Sequence, residues 1–139
     1  MAAIDPYLIF DGNCEEAFNF YKSVLGGEFE MISKFKDMPG EQCPAGDENK
    51  IMHVSIPIGN GNRLMGSDTG SGMGGVTFGN NFSISLSATS EDETKKLFNG
   101  LSAGGKVTMP LEPTFWAPLF GMLTDKFGVN WMVGYNKES

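Results

Sequence analysis

The chain has 139 residues, 40% apolar and 19% charged, with a formal net charge of −7. That length suits a single compact domain, and an acidic balance without any Lys/Arg cluster argues against nucleic acid as a partner, because phosphate backbones would be repelled. The opening MAAIDPYLIF lacks a basic n-region and no apolar run reaches the length of a membrane span, so a cytoplasmic protein with no membrane partner is expected. In that compartment the two cysteines, Cys14 and Cys43, are expected as reduced thiols.

Residues 4–10 (IDPYLIF) read as a strand. Asn13 and Glu16 then have the spacing of a helix N-cap and its acidic N3 partner. Cys14, Ala17, Phe18, Tyr21, Val24 and Leu25 follow at the three-and-four spacing of one buried helix face, and Gly26-Gly27 ends the helix with residues that accept left-handed torsions. Three strands are expected next, at 28–35, 51–58 and 63–68. Gly59-Asn60-Gly61-Asn62 supplies the hairpin turn between the last two. The intervening stretch 36–50, rich in Pro, Gly and acids, reads as a lid or a solvated crossover.

The second half repeats this order. Residues 83–88 (SISLSA) alternate as a strand, and Ser90 with Glu93 forms a second capping box. Leu97, Phe98 and Leu101 mark a helix face that ends at Gly104-Gly105. Strands are expected at 106–109, 119–124 and 129–135. Each half is therefore strand, helix and three strands, with a double glycine at the same relative place, so the fold class is α+β built by duplication of a βαβββ module. The modules span about 3–68 and 81–136. The glycines of the joining stretch 69–80 have no Lys-Ser/Thr and no helix after them, and read as a linker rather than a phosphate cradle.

The segments FDGNCEEAFNFYKSVLGGE, IMHVSIPIGNGNRLMGSD and GGKVTMPLEPTFWAPLFGMLTDKFGVNWMV, set in paired βαβββ modules, resemble the PhnB-like branch of the vicinal oxygen chelate superfamily. That superfamily includes glyoxalase I, extradiol dioxygenases and bleomycin-resistance proteins. The resemblance covers nearly the whole chain, and its most specific parts are TFW and DKFGVNWM. One departure is Ala117-Pro118, where the branch often has Gly after the Trp. The resemblance implies curved sheets forming a cup and a homodimeric assembly. In metal-using members the ligands come from the first and last strand of each module. Strand alignment carries those positions onto Pro6, Met65, Ser83 and Met132.

None of these four is a good ligand for the usual divalent ions: proline has no side-chain donor, a neutral hydroxyl binds weakly and thioethers suit soft ions. No metal and no cofactor is therefore expected. Met132 reads either as cup lining or as core packing. Alternation along the strands places Pro6, Leu8 and Phe10 on the cup side, with His53, Ser55, Met65, Ser67, Ser83, Ser85, Asn130 and Met132. Phe115 and Trp116, on a loop stiffened by Pro113 and Pro118, wall a pocket or bury themselves at a subunit interface. Trp131 faces the helices. The lining suits a small uncharged or aromatic molecule.

His53, the single histidine, is the candidate general base, with a hydrogen-bonded structural role as the alternative. Asp68 and Asp125 read as turn caps and Glu112 as a loop acid. The expected function is binding of a small molecule without the usual metal. Two alternatives are a lyase or dioxygenase with an unconventional site around His53, Glu112 and Asp125, and a protein that sequesters a cationic aromatic drug in the manner of bleomycin resistance. The name 3-demethylubiquinone methyltransferase, often attached to PhnB-like sequences, has no glycine-rich nucleotide-binding βα turn to support it here.

Overall fold

The computed structural model describes residues 4–37, 46–59, 61–70 and 75–135. Cys43, residues 38–45 of the expected lid or crossover, Asn60 of the hairpin turn and residues 71–74 of the linker lie outside them. The chain divides into two compact units, Met1–Thr77 and Phe78–Ser139.

The first unit contains β1 (Tyr7–Phe10), α1 (Cys14–Leu25), β2 (Met31–Lys34), a 3-10 turn at Phe35–Asp37, β3 (Ile51–Ile58) and β4 (Asn62–Asp68). Its sheet has the order β1-β4-β3-β2, with β1 parallel to β4 and the other pairs antiparallel. The second contains β5 (Ile84–Ala88), α2 (Glu91–Ser102), β6 (Lys106–Glu112), β7 (Leu119–Thr124) and β8 (Asn130–Tyr135). Its order, β5-β8-β7-β6 with β5 parallel to β8, repeats that of the first unit strand for strand. Among the described residues no helix is long and apolar enough to cross a membrane.

In each unit the helix covers one face of the sheet. Cys14, Ala17, Phe18 and Tyr21 of α1 are buried together with Phe10, Ile51, Val54, Ile56 and Leu64. Phe10 and Phe18 meet edge to face at 6.3 Å, and Phe18 and Tyr21 at 5.6 Å. Each such ring contributes about 1.5–3 kcal/mol by leaving water. In the second unit Thr94, Phe98 and Leu101 of α2 are buried, as are Ile84, Leu123, Trp131 and Val133 of the sheet. Trp131 is thus core, as its strand position predicts, and its indole N–H donates to Asp125 Oδ2 at 2.8 Å.

The helix starts differ. At α2 the capping box forms: Ser90 Oγ accepts from the Glu93 N–H at 3.1 Å, while the Glu93 carboxylate accepts from the Thr89 N–H at 2.7 Å. At α1 the expected Asn13 cap does not form, since its side chain makes no capping bond. The turn into α1 is instead held by Asp68 at the end of β4, whose Oδ1 accepts from the Gly12 and Cys14 N–H groups at 2.8 and 3.0 Å. Its Oδ2 accepts from the Ile51 N–H at 2.9 Å. Burial, with Asp68 adding to it, pushes the Cys14 thiol far up, which keeps it protonated and unreactive.

Gly66 in β4 permits a close approach of Phe18 of α1 to the sheet. A Cβ there would lie 2.6 Å from Phe18 Cε1 and 2.8 Å from the Leu8 carbonyl oxygen. Gly66→Ala is expected to destabilise the chain by about 1–3 kcal/mol through overpacking. The midpoint of urea unfolding reads this directly, and an unchanged midpoint would show that α1 shifts to make room.

Candidate functional site

The face of each sheet opposite its helix is built from register. In the first unit Met31 pairs with Ser55, Ser55 with Met65 and Met65 with Tyr7, so these four side chains cross the sheet in one row. In the second unit Met109 pairs with Met122, Met122 with Met132 and Met132 with Ser85. The rows occupy equivalent places in the two modules. Met65 and Met132 are counterparts on the last strand, and Tyr7 and Ser85 are counterparts on the first.

Most expected lining residues stand on these open faces: His53, Ser55, Met65 and Ser67 in the first unit, Ser85, Asn130 and Met132 in the second. Ser83 lies just before β5 and is half-buried. The first strand is one residue out of the expected alternation. Leu8 and Phe10, expected in the cup, are 7% and 0% exposed on the helix side, whereas Tyr7 and Ile9 are 45% and 50% exposed. Pro6 precedes β1, and its carbonyl accepts from the Met65 N–H at 3.0 Å.

Several polar members already have partners. Ser55 is buried and donates to Glu30 Oε1 at 3.1 Å. The Arg63 guanidinium binds the same carboxylate through Nε and, at 3.1 Å, through Nη2, which holds Glu30 below the usual carboxylate range. Asn130 accepts from Thr124 Oγ1 at 2.7 Å and donates to the Gly79 carbonyl at 3.1 Å. Asp125 accepts from the N–H groups of Phe127 and Val129 at 2.8 and 3.0 Å as well as from Trp131, so it serves the turn and the core.

His53 is half-buried on β3. Tyr7 reaches across β4 to bring its hydroxyl 3.4 Å from His53 Nδ1, with ring centroids 5.7 Å apart. An alternation that turns Pro6, Leu8 and Phe10 toward the cup leaves Tyr7 off that face and so hides this partner. In the second unit the place of His53 is taken by Phe120, which pairs with Gly134 and Glu112. Trp116 packs on Phe120 at 5.4 Å and Phe115 on Trp116 at 4.9 Å. The loop is pinned by the Thr114 N–H to the Ala117 carbonyl at 2.9 Å and the Ala117 N–H to Thr114 Oγ1 at 3.0 Å. Phe115 is left 97% exposed and Trp116 51%.

This architecture decides the kinship together with the sequence. The family described as 3-demethylubiquinone-9 3-methyltransferase matches residues 2–134. The chain belongs to this PhnB-like family. It is 35% identical to Protein YjdN of Escherichia coli (strain K12), covering 97% of this chain and 96% of that protein. The crystal structure of protein PA1353 from Pseudomonas aeruginosa matches with a TM-score of 0.85 and 46% identity over 98% of both chains. The PhnB protein from Bacillus cereus, described as a putative 3-demethylubiquinone-9 3-methyltransferase, matches at 0.75 and 29% over 96% and 99%. More distant solved structures share the glyoxalase/bleomycin-resistance/dioxygenase fold.

At the strand positions implied by the superfamily resemblance, Pro6 and Met65 in the first unit and Ser83 and Met132 in the second, no side chain is a carboxylate or imidazole, and the register partners of the two methionines are Tyr7 and Ser85. Taken within each unit, a phenol beside a thioether or a hydroxyl beside a thioether does not fit a divalent ion that takes carboxylate, imidazole or water oxygen. Among the described residues no three His, Cys, Asp or Glu side chains gather into a ligand set.

Proposed function

We propose that this PhnB-like protein binds a small uncharged or aromatic molecule on the open faces of its sheets, without the metal that other members of the superfamily use. The observation that carries the reading is the pair of equivalent rows, Met31-Ser55-Met65-Tyr7 and Met109-Met122-Met132-Ser85. Thioethers are polarizable and reshape around an apolar or aromatic guest, and in the second unit the Phe120 and Trp116 rings extend that surface. Neither row contributes a carboxylate, so a neutral ligand is favoured over a cation held by coordination.

Methyl transfer is not part of this reading. Residues 75–80 of the glycine-rich stretch and residues 81–83 after it carry no helix, and strand β5 follows directly, so these residues do not present a helix N-terminus to a nucleotide. An enzyme using Asp125 as an acid or base is likewise not favoured, because both its oxygens are engaged by the turn and by Trp131.

The test is a melting-temperature screen of EDTA-treated protein against neutral aromatic compounds. A ligand at about a hundred times its Kd adds about 2.7 kcal/mol, a rise on the order of 10 °C for a chain of this size. A stoichiometric metal surviving dialysis in elemental analysis would sink the metal-free reading. A broad panel with no stabilising compound would sink the binding reading.

A further inference from the structure

Resting on this binding reading, we propose that His53, held by Tyr7, is a hydrogen-bond donor that anchors a conjugated or aromatic carbonyl compound on the open face of the first unit. The two modules repeat one another strand for strand, so their differences are informative. Where the second module has Phe120 on β7 and Ser85 on β5, the first has His53 and Tyr7, and these two side chains are in contact. The first module thus sets an imidazole beside a phenol where the second has a phenyl ring and a serine hydroxyl.

The chemistry of the pair assigns its direction. A phenol is a stronger donor than an imidazole N–H, and a neutral imidazole nitrogen is a stronger acceptor than a phenol oxygen. In the tautomer this assigns, Tyr7 Oη donates to His53 Nδ1 and Nε2–H is the donor offered to a ligand. Ser33 adds a second, independent observation. It pairs with His53 across β2 and β3, which puts the two side chains on one face, and its Oγ is buried with no hydrogen-bond partner among the described residues. A hydroxyl kept from water and unpaired is costly, and an acceptor entering this row relieves the cost. A carbonyl oxygen has two lone pairs and suits two such donors.

The class is narrowed by charge. Arg63, on this face, is bound in two places to Glu30, so it is not available to neutralise a carboxylate or phosphate. Tyr7 and Met65 supply a flat ring and a thioether for the body of the ligand. What remains is a neutral molecule with an unsaturated body and a carbonyl oxygen.

Acetophenone and ethylbenzene test this, since they share a ring and nearly a shape and differ in the carbonyl. Binding of each to the full chain is followed by NMR, with the His53 ring nitrogens read by long-range proton–nitrogen correlation, free of overlap because the chain has one histidine. The wild type is expected to bind acetophenone about three- to tenfold more tightly, as one net hydrogen bond allows, and acetophenone alone should move the Nε2–H resonance. His53→Ala should abolish the preference while still binding ethylbenzene. Tyr7→Phe should shift the Nδ1 resonance before any ligand is added and weaken the preference, as a positioning residue would, and Ser33→Ala should reduce it. Equal affinity for the two probes, or a preference that survives His53→Ala, overturns the inference and leaves the binding reading intact. If neither probe binds at millimolar concentration, this anchor is wrong. The broader binding reading then stands or falls separately on the melting screen.

Discussion

Asp68→Ala is expected to lower the unfolding free energy by about 3–5 kcal/mol, because it removes a buried acceptor of three backbone N–H groups, two of them in buried bonds with no water to turn to. The carboxylate is 4% exposed and takes the N–H groups of Gly12, Cys14 and Ile51 at 2.8, 3.0 and 2.9 Å. These bonds tie the turn into α1 and the start of β3 to the end of β4. Asp68→Asn keeps one acceptor oxygen and should cost less, about 1–2 kcal/mol, since one side of the carboxylate becomes a donor facing donors. Urea unfolding of both variants with unchanged slope is the measurement. A midpoint for Asp68→Ala within error of wild type would mean the three donors find other partners.

Trp131→Ala is the second large effect, about 3–5 kcal/mol from the cavity left by a buried indole. Trp131 is fully buried between α2 and its sheet, and its N–H is committed to Asp125 at 2.8 Å. The loss should therefore reach beyond packing into the turn at Phe127–Val129 that Asp125 organises. Trp131→Phe retains most of the ring and isolates the missing hydrogen bond, worth about 1.5–3 kcal/mol to a charged acceptor. The chain holds two tryptophans, and Trp116 is half-exposed, so the folded variants should emit at longer wavelength than wild type. A blue-shifted emission that persists in Trp131→Ala would place the buried emitter elsewhere.

Both carboxylates read from sequence as simple turn caps. For Asp125 that is the larger part of the truth, since two of its donors lie within four residues. For Asp68 it is not, because its donors come from residues 17 to 56 positions away. Sequence spacing carries local bonds and is blind to these.

The strand faces divide in the same way. Along β4 and β8, polar and small residues alternate with Leu64, Trp131 and Val133, so the buried side shows its period and Met65 and Met132 fall on the open face as expected. In Tyr7-Leu8-Ile9-Phe10 every residue is apolar and the alternation has no contrast. A slip of one residue then exchanges the two faces. Only the pairing of Tyr7 with Met65 and the contact of Phe10 with Phe18 decide it, and that slip concealed the phenol beside His53.

By itself the sequence determined the duplicated βαβββ order, both helix faces, the α2 capping box and the absence of carboxylates from the strand positions implied by the resemblance, because each depends on neighbours a few residues apart or on residue chemistry alone. The tertiary structure decided the facing of β1, the role of Asp68 and the Tyr7–His53 contact. Those depend on which strands lie side by side, and residues 46 and 56 positions apart meet only once a sheet has fixed its register.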